Sequence, residues 1–238
     1  ESNHLILNYL FSKDGFTLRA ETFYKSYDQL VTFEGLPDDP KALATNGAGY
    51  AKGIDFFFRD RETFRNTDYW ITYSFVDSKR SFNQFQTEVQ PSFAPKHNIS
   101  VVLKHFIAPL KSQIGASFAF NDGYSYTDPN LDNSEMNSKT KSFQNLSLSW
   151  SYLPKPNIII HLACSNVLGR DNVFGYTYSP KTNSQGVFES IPQGQVAPRC
   201  SIFILFLLYS PFPSHRNHFV ILIEVRSLLI EPAVYLAW

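Results

Sequence analysis

The sequence has little of what usually betrays a function. It carries no excess charge of either sign, because 21 Lys and Arg balance 21 Asp and Glu. A balanced chain has no electrostatic footprint for nucleic acid, so no nucleic-acid partner is expected. Cysteine is limited to Cys164 and Cys200, far apart and outside any metal-type spacing. They could form one disulfide, although two scattered thiols more often serve as small apolar residues. No apolar run reaches the roughly 18 residues of a membrane-crossing helix; SIFILFLLY comes nearest and is only strand-length. If the chain resides in a membrane, it must do so as a barrel. No charged n-region precedes an apolar run, so no signal peptide is visible, and the start at Glu1 leads us to expect an upstream portion. A Gly-rich phosphate loop, a Gly-x-Ser-x-Gly elbow, a His-Glu-x-x-His pair and a paired-Cys zinc pattern are all missing. No catalytic residue, metal or cofactor is therefore expected. The lack of a fixed-period repeat argues against a propeller.

What the sequence does have is aromatic residues, at 16%, with 22 Phe and 13 Tyr. They sit in segments that alternate apolar and polar residues with period 2, the mark of strands with two different faces. QNLSLSWSY sets Leu146, Leu148, Trp150 and Tyr152 against Asn145, Ser147, Ser149 and Ser151. FTLRAETFYKSY, YAKGIDFFFRD, DYWITYSFVD, NISVVLKHF, QIGASFAFN and NIIIHLACSN alternate likewise. With NHLILNYLF and CSIFILFLLY, these make about nine candidate strands. Short links at KDG, RETFRN, APLKS and LPKPN alternate with long ones through residues 34–47, 79–97 and 122–141. Short turns on one rim and long loops on the other are the pattern of a bacterial up-and-down barrel. Segment lengths also fit tilted strands of about 9–11 residues.

A soluble or surface-exposed β-sandwich acting as a binding module is the competing reading, since it too alternates and hides its apolar face between sheets. Two features favour the barrel. The polar faces are built from Ser, Gly, Ala and Asn rather than Lys and Glu, which suits a watery or plugged lumen. The apolar faces end in Tyr and Trp, for example Tyr24, Tyr69 and Tyr152, where interfacial girdles lie. The expected fold class is all-β: an antiparallel up-and-down transmembrane β-barrel, present in part.

From about Leu18 to Arg199, several separated blocks resemble the C-terminal barrel of TonB-dependent outer-membrane receptors. The resemblance is to those whose N-terminus also bears a carboxypeptidase-like regulatory domain. RAETFYKSYDQLV is similar to the family strand with an inward Arg–Glu pair, and Gly53 with Asp55 matches a Gly–acidic pair in the next hairpin. PSFAPKHNISVVLK and SNVLGRDNVFGYTYS look like later blocks, the second holding the near-terminal Asn-Val-Leu-Gly. The resemblance implies a receptor of about 22 strands with a plugged lumen. It implies import of a scarce nutrient (a metal chelate, cobalamin or a glycan) with energy relayed by TonB. The implied partners are outer-membrane lipid, the plug and remaining strands of the same receptor, TonB through that plug, and a small-molecule or glycan ligand. The implied location is the bacterial outer membrane.

Candidate contact residues fall into two groups. Arg19, Glu21, Lys25 and Asp55 would face the lumen, pairing across strands and packing against the plug. Asp122, Tyr124, Tyr126 and Asp128, with Asp132, lie in a long loop whose acidic and aromatic side chains could close over a sugar or chelate. Asp38 and Asp39, in a Pro-flanked loop, and His215 with His218, three apart, are weaker candidates for cation binding. Residues 1–205 are read as the C-terminal part of the barrel. Residues 206–238 are read as an atypical apolar tail, foreign to the receptor: SIFILFLLY is apolar on both faces, and Pro211 and Pro213 lack the N–H that a ladder needs.

Overall fold

The computed structural model describes residues 1–33, 43–82, 85, 87–131, 135–155, 157–194, 199–208 and 219–229, with backbone alone for 201–208 and 219–229. Ten strands form one antiparallel sheet in which each strand pairs with the next of the ten along the chain. They are β1 (Ser2–Lys13), β2 (Phe16–Phe33), β3 (Leu43–Asp60), β4 (Thr67–Arg80), β5 (His97–Ile107), β6 (Ser112–Asn121), β9 (Phe143–Lys155), β10 (Ile158–Ser165), β13 (Arg199–Leu208) and β14 (Phe219–Leu229). Two small hairpins interrupt the meander, β7 (Ser125–Tyr126) with β8 (Ser138–Lys139), and β11 (Gly175–Thr182) with β12 (Phe188–Gln193). All nine expected segments are strands of the main sheet, and β14 adds a tenth inside the segment read as a tail. Strand β3 begins at Leu43, so part of the expected 34–47 loop is strand. There Leu43 and Ala44 pair with Phe33 and Thr32.

The rims differ as the link lengths require. One carries the tight turn between β1 and β2, where Lys13 lies opposite Phe16 and the central Asp14 and Gly15 take φ of 45° and 80°. Positive φ at both positions matches the twist of the flanking strands, and Asp-Gly tolerates it. On the same rim, the Asp60 carboxylate accepts the Glu62 and Thr63 N–H groups at 2.7 and 3.0 Å, holding the β3–β4 turn. A short 3-10 turn at Ala108–Leu110 joins β5 to β6 there. At the other rim β2, β4, β6 and β10 end and β3, β5, β9 and β13 begin.

Register decides the faces. Because side chains alternate strictly, aligned strands must align their apolar sets or lose the distinction between faces. Phe118 lies opposite Val101 and Leu146, and Trp150 opposite Ile114 and Leu162. Ser117 lies opposite Val102 and Ser147, and Ser149 opposite Gly115 and Ala163. One face of the sheet is thus apolar from β1 to β10 and the other mainly small and polar. Near the short-turn rim the apolar face carries a chain of ring contacts, Phe11–Phe16–Phe58–Tyr69–Phe64, with centroids 5.1–6.1 Å apart. Trp150 stacks on Tyr152 farther along the same face. On the polar face the Phe23 ring lies over Gly53, where a Cβ would come within 2.7 Å of the ring and 2.1 Å of the Phe75 carbonyl oxygen.

The described residues form almost no core. Among them the buried apolar residues are Ala51, Phe85, Val89 and Val173, whereas Leu5 is 73% exposed, Ile54 53% and Leu148 46%. No second sheet covers the apolar face among the described residues. An exposed apolar wall of this extent is unstable in water and suited to lipid. Cys164 and Cys200, directly opposite on β10 and β13, form a disulfide with Cα atoms 4.0 Å apart. The sequence left open whether the two thiols meet, and strand register decides it.

Candidate functional site

The polar face collects the expected inward residues. Arg19, Glu21 and Lys25 alternate along β2, and Asp55 lies directly opposite Glu21 on β3. The four are brought to one face, but none of them is in an ion pair among the described residues. Two carboxylates therefore stand side by side, an arrangement that destabilises a sheet unless other groups intervene. Here neutral donors do so: the Asn8 amide Nδ2 donates to Glu21 Oε2 at 2.7 Å, and the Ser74 hydroxyl donates to Asp55 Oδ1. Lys25 turns its ammonium to the Phe23 ring, 5.0 Å from the centroid. Arg19 and Asp55 edge a shallow hollow of about 390 Å³ floored by Thr72, Ser74, Asn98 and Asn121. A second hollow of about 460 Å³ lies over Ser117, Ser147 and Ser149, between Lys104 and Arg199. A wall of short side chains with a few charges binds bulk weakly by itself, but it leaves room for something to fit against it.

The long-loop rim is more built. Asp122 follows β6 and accepts the His97 N–H at 3.1 Å and the Lys139 ammonium at 2.8 Å. Partial burial works to raise its pKa, but these two donors outweigh burial and hold the carboxyl below its ordinary value. Gly123 takes φ of 98°, where only a residue without Cβ avoids the Thr140 carbonyl oxygen. The turn aims Tyr124 inward; its hydroxyl accepts from Asn121 Nδ2 at 2.8 Å. Its ring meets Phe174 at 5.6 Å, and Phe174 stacks on Phe143 at 5.7 Å. Tyr126 meets Tyr176 at 5.0 Å. Tyr178 hydrogen-bonds with Tyr126 and Asp128; burial, then its interactions with Tyr126 and the Asp128 carboxylate, push its phenol well above the ordinary tyrosine value. Asn130 seals the contact by donating Nδ2 to the Phe188 carbonyl at 3.0 Å and accepting the Phe188 N–H at 2.8 Å.

The β7–β8 hairpin is thus docked on the β11–β12 hairpin, and Asp122, Tyr124, Tyr126 and Asp128 lie along or beside that contact. Phe174, Tyr176 and Tyr178 complete it. The alternation in FGYTYS was their available signal, but no periodicity says which loop another loop will meet. Asn166 and Asn172, both fully buried, anchor the second loop to β9. The Asn166 N–H donates to Asn145 Oδ1 at 2.9 Å. Asn172 accepts the Gln144 N–H at 3.0 Å and returns Nδ2 to the Gln144 carbonyl at 2.8 Å, imitating a strand residue. Arg170 Nη2 donates to the Ser142 carbonyl at 2.9 Å. These contacts give the Asn-Val-Leu-Gly block and its continuation a structural role. Asp38, Asp39, Asp132, His215 and His218 lie outside the described residues. No three His, Cys, Asp or Glu side chains gather as a metal site among the described residues.

No protein-family profile matches the chain, and no curated relative matches it in sequence. Solved structures do share its fold. The ferric yersiniabactin uptake receptor FyuA from Yersinia pestis aligns at a TM-score of 0.63 and 14% identity, over 85% of this chain and 29% of its own. The ferric-catecholate import receptor Fiu from E. coli K12 aligns at 0.58 and 14%, over 85% and 26%. The outer membrane transporter YddB from Escherichia coli aligns at 0.57 and 14%, over 82% and 31%. The chain spans less than a third of the length of each. The fold is therefore that of one stretch of a larger transmembrane β-barrel, antiparallel and up-and-down.

Proposed function

We propose that the chain is the C-terminal barrel portion of a TonB-dependent receptor of the bacterial outer membrane, of the type preceded by a carboxypeptidase-like regulatory domain. The receptor imports a scarce nutrient, a metal chelate, cobalamin or a glycan, and catalyses no reaction. The observation that carries this reading is the two-faced sheet. Its apolar side carries exposed side chains on every strand of the sheet from β1 to β9, its other side is mainly small and polar, and its links alternate short and long. The disulfide between Cys164 and Cys200 agrees with an exported chain, since such bonds persist in oxidising compartments. In this reading the polar face meets the receptor's plug, and TonB acts through that plug. The docked loops around Tyr124, Tyr126 and Asp128 face the medium and contact the ligand. Uptake by the complete receptor tests it: replacing Tyr126 and Tyr178 by Ala lowers ligand affinity while the barrel still resists unfolding in detergent. Unchanged uptake with those loops disrupted would remove them from the ligand route. Recovery of the receptor in the aqueous phase of a detergent partition would overturn the membrane location itself.

A further inference from the structure

The apolar face ends abruptly toward the long-loop rim. On β4 the outward series Tyr69, Ile71, Tyr73, Phe75 continues as Asp77 and Lys79. Asp77 lies opposite Lys52 of β3, and Lys79 opposite Tyr50. The Lys52 ammonium stands 3.6 Å from Asp77 Oδ2, and the Lys96 ammonium stands 3.9 Å from Oδ1. Tyr50 donates its hydroxyl to Asp77 at 3.4 Å, and Lys52 also lies over the Tyr50 ring at 5.2 Å. One carboxylate thus holds two ammonium groups apart, each beyond hydrogen-bond reach. All three N–H donors on each lysine stay uncommitted among the described residues. Lys79 is exposed beside them and in no ion pair among the described residues. Even counting the exposed Glu88 of the 81–96 link, three ammonium groups exceed two carboxylates among the described residues. The cluster sits roughly 7 Å along the strand beyond Phe75, which is where headgroups begin.

We propose that Lys52, Lys79 and Lys96 form a lipid-facing site for a phosphate-bearing headgroup in the outer leaflet. The site rests on the membrane reading above and adds to it a defined lipid contact. Outward cations at the edge of an apolar wall reach headgroups by extending along it, with their stems still covering apolar surface. Phosphate offers several acceptor oxygens, so the two ammoniums gathered at the two oxygens of Asp77 can engage one group together. Asp77 acts as the spacer, and Tyr50 fixes the spacer. The occupant is committed to lipid rather than free phosphate because the ammoniums border the apolar rows of Tyr24, Phe75 and His97. There an acyl chain can lie against the wall while the headgroup meets the charges.

The test uses the complete receptor in phosphatidylcholine nanodiscs doped with diphosphoryl lipid A, with bound lipid counted by native mass spectrometry. The wild type retains the diphosphoryl lipid and not its dephosphorylated form. Replacing Lys52, Lys79 and Lys96 together by Gln lowers retention by roughly a hundredfold at low salt, about fivefold for each lysine. The triple Arg variant keeps retention, and Gln at Lys25 and Lys104, on the other face, changes nothing. Inorganic phosphate at millimolar concentration does not compete. Equal retention by the triple Gln variant, equal retention of the dephosphorylated lipid, or displacement by inorganic phosphate would each overturn the site. Insertion into nanodiscs is scored separately by heat-modifiable gel mobility. A failure of the membrane reading appears there in every variant, whereas a failure of the lipid site leaves insertion intact.

Discussion

Ser117 and Phe118 are neighbours in β6 that the pleat sends to opposite sides of the sheet, and their substitution costs should differ accordingly. In the intact receptor, Phe118→Arg or Leu148→Arg costs about 2–4 kcal/mol if the position lies near the bilayer midplane. Ser117→Arg and Ser147→Arg cost much less. Denaturant unfolding in lipid vesicles measures both, and equal costs on the two faces would mean that protein buries both. Asp122 supplies a second residue-scale prediction. Its folded pKa is depressed, so its contacts with Lys139 and His97 stabilise the loop above the unfolded value and are lost as pH falls through the folded one. The protection of the Tyr124 and Thr140 amides, corrected for the intrinsic slowing of exchange in acid, should therefore fall as pH drops from about 5 through the folded value. The Asp122→Asn variant should exchange quickly throughout that range. A wild-type protection that is flat with pH would show that the carboxylate does not hold the loop. The alternation that exposes these positions is legible in QIGASFAFN and QNLSLSWSY. The partners of Asp122 are not, because they come from β5 and β8.

Among elements, the link 122–142 and the β11–β12 hairpin are the least legible and the most structured by tertiary contact. Asn130 and Phe188 exchange two hydrogen bonds across 58 residues of chain. Asn130→Ala should loosen that contact by about 1–3 kcal/mol, through two lost hydrogen bonds of about 0.5–1.5 kcal/mol each. Exchange should rise at the Phe188 amide and stay unchanged in β5 and β6; a global loss of protection would show that the hairpin supports the wall. Residues 219–229 present a different question. They pair with β13 as β14, yet SIFILFLLY and the stretch after it lack the two-faced pattern of the other strands. We propose that residues 206–238 are foreign to the receptor, for example the product of a shifted reading frame. Resequencing should find a frame error near the codons for Cys200 to Leu208, and deleting residues 211–238 should leave assembly intact. A confirmed frame together with lost assembly would make the tail structural.

At the scale of the whole molecule, the ten strands of the main sheet leave β1 and β14 without an outer neighbour among the described residues, and β1 exposes Leu5, Leu7 and Leu10 along its length. Unpaired edges beside an apolar wall invite aggregation. Alone and without lipid or detergent, the chain should aggregate; a monodisperse monomer that melts cooperatively in light-scattering and calorimetric measurements would sink the membrane reading. The sequence by itself determined nine of the ten strands of the main sheet, their two faces and the alternation of short and long links. Those properties follow from period-2 patterning and from turn residues such as Asp14 and Gly15, which act over a few positions. Tertiary structure alone decided that Cys164 meets Cys200, that Glu21 faces Asp55, that Tyr178 joins Tyr126 and Asp128, and that Asp77 spaces two lysines. Each of these contacts joins separate strands or loops whose relative register depends on the summed pairing of the ladder and on loop docking. No local pattern in the sequence encodes that sum.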